Sequence, residues 1–175
     1  MAKLAVFAAV LSLASGLSSL AQSSKNVAAQ PQVHRQCQFA DGKSIDVDYP
    51  ETSGVRAFDQ ASGYRGARFT SNQNLITIQG RNVEAGEYDL SIVPSRGAQM
   101  LVLTRIDAER DSAGRLLSSQ FAPLPMSMTR LRSPIEGFTI SFDHTGGSCR
   151  LKAQWENTQA ALEFAEPNTD LPLIP

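Results

Sequence analysis

Alternating apolar and polar residues after Gly86 constrain the fold of this chain more than any other sequence feature. The alternating residues are Tyr88, Asp89, Leu90, Ser91 and Ile92. A period of two residues is that of a β-strand with one buried face. Gly86 precedes this strand, where a tight turn favours a residue without a Cβ, and Pro94 closes it, where no backbone donor is needed. The segment therefore predicts a strand bounded by turns.

Two further strands flank this segment, one on each side. Residues 75–78 (Leu-Ile-Thr-Ile) precede the turn at Gly86, and residues 100–104 (Met-Leu-Val-Leu-Thr) follow a second turn at residues 95–97. Three consecutive strands joined by short, turn-rich connections are typical of an antiparallel meander. The middle of the chain is therefore predicted to be antiparallel sheet.

The same alternation recurs nearer the two ends of the chain. The predicted strands are residues 33–39, 45–49, 138–142, 149–155 and 160–164. The last of them follows a predicted turn at Asn157 and Thr158, and residues 158–165 taken alone also fit a short helix. The first two strands, and the third and fourth, are each predicted to form a hairpin.

Together these segments predict eight to ten short strands and an all-β fold. A single antiparallel two-layer β-sandwich, of jelly-roll or open-barrel type, is the architecture that this pattern favours. The domain is predicted to span residues 33–166, after a flexible lead-in at 22–32 and before an extended tail at 167–175. Residues 51–73, which contain three glycines, are predicted to be a long irregular loop.

The first 21 residues have the features of a secretory signal peptide. Lys3 gives a positive start, residues 4–14 form an apolar run broken only by Ser12, and the small residues that follow suit cleavage after Ala21. An uncleaved membrane anchor is the alternative, but the apolar run is shorter than the roughly 20 residues that span a bilayer. The chain is therefore predicted to be exported, to a periplasmic or extracellular destination, with no transmembrane segment after cleavage.

The charge of the chain excludes one class of partner. The formal net charge of −1 moves to −2 when residues 1–21 are removed, because that segment carries Lys3 and no acidic residue. Arg130 and Arg132 are the nearest approach to a basic cluster. A weakly acidic chain without a basic patch gives no basis for nucleic acid as a partner.

The two cysteines of the chain, Cys37 and Cys149, are predicted to form a disulfide bond, since an exported protein folds in an oxidising compartment. Each lies on the apolar face of its predicted strand, which Cys37 shares with Phe39 and Cys149 shares with Trp155. The bond would close a loop of more than 100 residues and stabilise the fold by roughly 3–5 kcal/mol. Two separate buried thiols are the alternative.

Tyr64, Arg65 and Arg68 are the candidate binding residues. They lie in the predicted loop at residues 51–73 and combine an aromatic ring with two cations, and loops carry function more often than the scaffold does. In an alternative interpretation, Tyr64 and Phe69 close one end of the sandwich while the arginines are solvated.

The sequence shows no catalytic constellation, and we assign no catalytic residue, metal site or cofactor from it. His144 follows Asp143, but adjacent residues of an extended chain point apart, whereas a triad needs the acid behind the imidazole. Zinc needs three or four convergent ligands, and the two histidines, His34 and His144, are far apart in sequence. An acidic outer face that binds Ca²⁺ weakly, or an ordinary solvated face, is predicted from Asp46, Asp48 and Asp89.

Residues 83–94 (Val-Glu-Ala-Gly-Glu-Tyr-Asp-Leu-Ser-Ile-Val-Pro) resemble a signature of the domain of unknown function 2911 family. In that family Pro-Ala-Gly-x-Tyr-x-Leu is followed by Ile-Pro. Further segments that are similar, in order and spacing, are residues 45–49, 135–140 and 151–158. Residues 64–68 are the nearest match to a Trp-Arg-Thr-Gly-Ala-Asn stretch of the family, with Tyr in place of Trp and no Asn. The resemblance covers about residues 43–164 and implies a secreted bacterial β-sandwich whose biochemical role is not established.

Two classes of function remain open from the sequence. The first is an exported non-catalytic module that binds a small molecule, a glycan or an envelope protein through residues 51–73. The second is a secreted or periplasmic hydrolase with catalytic residues on its loops. A histidine within hydrogen-bonding reach of a carboxylate and a hydroxyl in a concave pocket would favour the hydrolase.

Export and the disulfide predict the mass of the mature protein. When the chain is expressed with its N-terminus, we expect mass spectrometry to find residues 1–21 removed and no cysteine alkylated before reduction. Two freely alkylated cysteines in the exported protein would contradict the disulfide. Retention of residues 1–21 would contradict export.

Overall fold

The computed structural model describes residues 31–51, 58–106, 123–145 and 147–167. The predicted signal peptide with its cleavage at Ala21, most of the predicted lead-in, and the tail beyond residue 167 lie outside these residues. Within them, no helix has the length and apolar character needed to cross a lipid bilayer.

Nine β-strands make up one antiparallel sheet in the described residues. In chain order they are β1 (Gln32–Gln38), β2 (Ser44–Pro50), β3 (Tyr64–Ser71), β4 (Leu75–Thr77), β5 (Asn82–Val83), β6 (Gly86–Ser95), β7 (Ala98–Arg105), β8 (Leu124–Thr145) and β9 (Ser148–Ala165). Hydrogen-bonded neighbours follow the order β1-β2-β3-β6-β7-β8-β9-β4-β5. The predicted all-β fold is confirmed, and the number of strands lies within the predicted eight to ten.

The hairpin of β6 and β7 shows how local sequence sets the register. Ser95 lies opposite Ala98, which leaves Arg96 and Gly97 as a two-residue connection. Both have positive φ, 46° and 83°, as in the turns whose twist matches that of antiparallel strands. This turn aligns the buried side chains of the two strands, and the predicted pairing here is confirmed.

The predicted three-strand meander is wrong in its first member. β4 pairs with β5 and with the end of β9, not with β6. The chain reverses at Gly80, directly after β4, so that Leu75 lies opposite Val83. Alternation along a sequence indicates that a strand exists but does not identify its partner, and here a short turn diverts the strand to β9.

The interpretation of residues 51–73 as one irregular loop is wrong for its second half. β3 lies between β2 and β6, in the interior of the sheet. The register shifts between Arg65 and Ala67, so Gly66 (φ 106°) is an extra residue. Because this β-bulge separates buried Tyr64 from buried Ala67 by three positions, the period of two that marks a strand is interrupted.

β8 and β9 are longer than the sequence predicts. The turn predicted at Asn157 and Thr158 is wrong, since both residues lie inside β9, and the helical alternative for residues 158–165 is also wrong. The irregularity at this point is in the partner strand instead. The pairing of β8 with β9 shifts register between Arg130 and Ile135 and again before Phe138.

Side chains from distant strands of the sheet share one core. The Phe69 ring of β3 lies 5.5 Å from the Phe164 ring of β9, measured between centroids. The predicted disulfide is confirmed, since Cys37 of β1 is bonded to Cys149 of β9 with both residues buried. These contacts join strands that are distant in the sheet, and the two-layer sandwich stays a prediction.

Gly63 provides a test of the packing beside β6. A Cβ at this position would overlap the carbonyl oxygen of Ile92, whereas at Gly80 no atom lies within 4 Å, and the φ angles of the two glycines are similar, 77° and 74°. We expect Gly63→Ala to lower the free energy of unfolding by at least about 2 kcal/mol more than Gly80→Ala, because backbone must move. Equal losses in urea unfolding would contradict this packing.

Candidate functional site

A groove lies where β1 passes β8 without pairing to it. Among the strands that the structure describes, β1 pairs with β2 alone, and β8 pairs with β7 and β9, yet β1 and β8 lie side by side. The groove has a volume of about 240 Å³ and is lined by Val33, Arg35, Tyr49, Glu51, Glu136, Phe138 and Thr139. We call it the β1–β8 groove.

The disulfide sets which face of β1 borders this groove. Alternation along an extended strand places Val33, Arg35 and Cys37 on one face. Since Cys37 is bonded to Cys149 of β9, this face is held towards the second half of the molecule. Arg35 is therefore presented to β8, while its neighbour His34 is on the opposite face.

Three charged side chains line the β1–β8 groove. Arg35, Glu51 and Glu136 are all exposed, and none of them forms an ion pair with another described residue. A guanidinium nitrogen of Arg35 donates a hydrogen bond to the backbone carbonyl of His34 at 3.1 Å. The groove thus offers one strong donor group and two strong acceptor groups to a ligand.

Buried aromatic side chains form the floor of the groove. The Tyr49 hydroxyl, on β2, donates a hydrogen bond to the backbone carbonyl of Ile140 on β8 at 3.2 Å. The Phe138 ring stacks on the Tyr64 ring with centroids 4.0 Å apart. Phe58 continues this cluster, 3.9 Å from the Trp155 ring. Such packing fixes Phe138 in place.

The Tyr64 hydroxyl is a buried polar group with no hydrogen-bond partner in the described part of the chain. Burial, and secondarily the neighbouring Tyr49, raises the pKa of Tyr64 to about 12. Unpaired buried polar atoms are uncommon in folded proteins, because each loses its hydrogen bonds to water without replacement.

The three predicted binding residues do not lie together. Tyr64 is buried in the core, while Arg65 and Arg68 are exposed on the outer face of β3. The guanidinium of Arg68 lies 3.5 Å from the carboxylate of Glu87 and 3.7 Å from that of Asp89. The burial of Tyr64 and the exposure of both arginines agree with the alternative interpretation, in which the ring packs in the fold and the arginines are solvated. The role of the three residues in binding stays a prediction.

His34 has a carboxylate within hydrogen-bonding reach, on the outer face. Its Nδ1 lies 2.8 Å from Asp48, and its Nε2 lies 3.4 Å from Asp46. The Ser44 hydroxyl donates to Asp46 at 2.8 Å. In acyl transfer the imidazole lies between the hydroxyl and the carboxylate, whereas here the Asp46 carboxylate lies between Ser44 and His34.

The residues around His144 direct their polar groups to separate partners. The Asp143 carboxylate accepts a hydrogen bond from Lys152 at 2.6 Å, and the Ser148 hydroxyl donates to Glu163 at 2.6 Å. His144 is exposed, opposite Cys149 in the ladder of β8 and β9. This is the geometry of a hairpin end.

The predicted acidic face is divided between two sets of contacts. Asp46 and Asp48 flank His34, while Asp89 lies beside Arg68. Across the ranges that the structure describes, no group of three or more His, Cys, Asp or Glu residues is arranged to hold a metal ion. Weak calcium binding at this face stays a prediction.

Sequence reasoning did not identify Arg35, Glu51 or Glu136 as site residues. Each lies among ordinary polar residues of a strand or strand end, and no local motif marks them. They meet only because β1 and β8, about 100 residues apart in the chain, lie side by side. The one signal in the sequence that pointed to this groove was the predicted disulfide, since it places β1 against β9 and hence near β8.

Comparison with known proteins gives one match. A family model described as "Protein of unknown function (DUF2911)" matches residues 65–164, from β3 to the end of β9. The resemblance inferred from the sequence is confirmed over this range. No curated protein and no solved structure matches the chain.

The unpaired Tyr64 hydroxyl predicts how Tyr64→Phe will act. The raised pKa means that the folded state holds this proton more tightly than the unfolded chain does, so stability is lost as the pH rises from about 10 towards about 12. We expect Tyr64→Phe to be neutral or to stabilise by up to about 1 kcal/mol at pH 7, and to lose less stability than the parent in this alkaline range.

Tyr88→Phe is the matched control for this experiment. The Tyr88 hydroxyl donates to the backbone carbonyl of Glu84 at 2.7 Å, so its removal should destabilise by about 1 kcal/mol. Both variants are compared with the parent by urea unfolding at pH 7 and at pH 11. A similar loss of stability at pH 7 in both would contradict an unsatisfied Tyr64.

Proposed function

The chain belongs to the family described as Protein of unknown function (DUF2911), and from that premise we propose that it is an exported, non-catalytic module that binds a glycan in the β1–β8 groove. The observation that carries the proposal is the set of three charged side chains in this groove, Arg35, Glu51 and Glu136, which have no ion-pair partner among the described residues.

The chemistry of these groups favours a polyhydroxylated ligand. A guanidinium only donates hydrogen bonds, and a carboxylate only accepts them. A simple cation would satisfy Glu51 and Glu136 but not Arg35, and a simple anion would do the reverse. A sugar hydroxyl both donates and accepts, so adjacent hydroxyls of one ring satisfy all three side chains.

The size of the groove limits how much of a glycan enters it. Its volume of about 240 Å³ is below the roughly 300–1,000 Å³ that is usual for pockets holding drug-sized molecules. The groove therefore takes a single sugar unit, with the rest of the glycan outside. The buried rings of Tyr49 and Phe138 give this unit a rigid floor.

Three observations support export and a non-catalytic role, two for the first and one for the second. The features of residues 1–21 are those of a cleaved signal peptide, and a disulfide between Cys37 and Cys149 suits an oxidising compartment such as the periplasm or the extracellular space. For the non-catalytic role, the support is the order of groups around His34, which differs from that of an acyl-transfer triad.

The exposed arginines of β3 define a second surface that the same experiment tests. Arg65 and Arg68 were predicted from the sequence to bind a ligand together with Tyr64. Tyr64 underlies Phe138 and so acts on the groove through packing, whereas the two arginines belong to the outer face. Their substitution separates the groove from that face.

The proposal predicts saccharide binding that depends on the groove. A panel of neutral oligosaccharides is screened by isothermal titration calorimetry, and the best ligand is measured again with Arg35→Gln and Glu136→Gln. We expect each variant to bind roughly tenfold more weakly or worse, because each removes a hydrogen bond to a charged group.

Arg65→Gln and Arg68→Gln are the matched controls, because they also remove an exposed positive charge. We expect both to bind the saccharide as the parent does. Loss of binding in these two variants, with the groove variants unaffected, would move the site to the outer face. Absence of binding by every saccharide at millimolar concentration would contradict the proposal.

A further inference from the structure

The pairing of β8 with β9 is interrupted beyond Arg130. Arg130 lies opposite Thr158, and Ile135 lies opposite Glu156. The four residues of β8 between these positions therefore face Asn157 alone. A β-bulge of this size bends the strand and leaves polar groups without their usual ladder partners, and bulges are frequent beside functional sites.

Backbone strain marks the same place on β9. Glu156 has a φ of 47°, in the left-handed region that costs a residue with a Cβ roughly 1–2 kcal/mol. On β8, Gly137 has a φ of 75°, which glycine adopts without that cost. A strained residue persists where surrounding contacts hold it, and such residues cluster at ligand-binding sites.

An open surface pocket of about 410 Å³ lies at this bulge, within the size range of small-molecule sites. It is lined by Met128, Thr129, Arg130, Asn157 and Thr158. We call it the bulge pocket. None of these residues lines the β1–β8 groove, so the two are separate.

Three groups in the bulge pocket have no complement within the described residues. The exposed guanidinium of Arg130 forms no ion pair there. The side-chain oxygen of Asn157 is buried without a hydrogen-bond donor. Met128 is 42% exposed and is the one large hydrophobic side chain among the described residues that is exposed. A cation, an acceptor and an apolar surface thus meet in one cavity.

We propose that the bulge pocket binds a carboxylate carried beside an amide N–H and an apolar side chain. The carboxylate pairs with Arg130, the N–H donates to the Asn157 oxygen, and the apolar side chain covers Met128. N-acylated amino acids and peptide C-termini share this chemistry. A guanidinium is well suited to binding the carboxylate, since its parallel N–H groups match both oxygens.

Simpler ligands leave part of the pocket unsatisfied. Inorganic phosphate would pair with Arg130 but offers no apolar surface to Met128. A hydrocarbon would cover Met128 but leave the Asn157 oxygen buried without a donor, which is unfavourable. An amine would be repelled by Arg130.

The test is a titration with N-acetyl-leucine, read by calorimetry and by the ¹³C signal of the Met128 ε-methyl group, which Met128→Leu assigns. We expect this signal to move on binding. N-acetyl-leucine amide, which lacks the carboxylate, should bind at least roughly tenfold more weakly. A tetrapeptide ending in leucine separates the two sources. Tighter binding than N-acetyl-leucine identifies a peptide C-terminus, and equal or weaker binding identifies an N-acylated amino acid.

Two exposed arginines two positions apart supply a matched pair of variants. Arg130→Gln should weaken binding of N-acetyl-leucine roughly tenfold or more, while Arg132→Gln, which removes an equal charge outside the lining of the pocket, should leave it unchanged. Asn157→Ala should also weaken it. Circular dichroism checks that each variant keeps its strand content.

The outcomes against the proposal are equally defined. No movement of the Met128 signal at millimolar N-acetyl-leucine, or equal weakening by Arg130→Gln and Arg132→Gln, would overturn it. The bulge pocket does not depend on the glycan site, so Arg35→Gln should bind N-acetyl-leucine as the parent does. A failure of saccharide binding therefore leaves this result standing.

Discussion

The ladder between β8 and β9 is the interaction on which the rest of the structure depends. It is formed by the two longest strands, of 22 and 18 residues. The start of β8 pairs with β7, and the end of β9 pairs with β4. Because β8 and β9 are antiparallel, β7 and β4 flank the same end of this ladder, and the paired rows fix their positions relative to one another.

The regular pairing of this ladder is interrupted beside both candidate binding sites. Its irregular section separates Arg130, in the bulge pocket, from Glu136, in the β1–β8 groove. Both residues belong to one strand, yet neither is in the core, because the extra residues of β8 lead the chain outward before Phe138 returns to it. A strand without bulges would align every side chain with a partner and leave fewer unpaired polar groups to bind a ligand.

Sequence reasoning identified what depends on local pattern. The β6–β7 hairpin was readable because Gly97 gives a tight turn between apolar runs, and the disulfide was readable because Cys37 and Cys149 each lie on an apolar face. It missed β3 because the bulge at Gly66 breaks the alternation, and it placed β4 with the wrong partner because alternation carries no information on pairing. The β1–β8 groove could not be predicted for the same reason. Arg35 and Glu136 line one groove only through long-range packing, which local alternation does not reveal.

The pairing of Cys37 with Cys149 has a consequence for how the disulfide bond forms. The sequence holds two cysteines, so oxidation within one chain has a single product and no mispaired isomer to resolve. Cys149 follows Cys37 by 112 positions, and the bond joins β1 to β9, the first and last strands of the described sheet in chain order. Formation of this bond therefore needs an oxidant, but no rearrangement of mispaired disulfides within the chain.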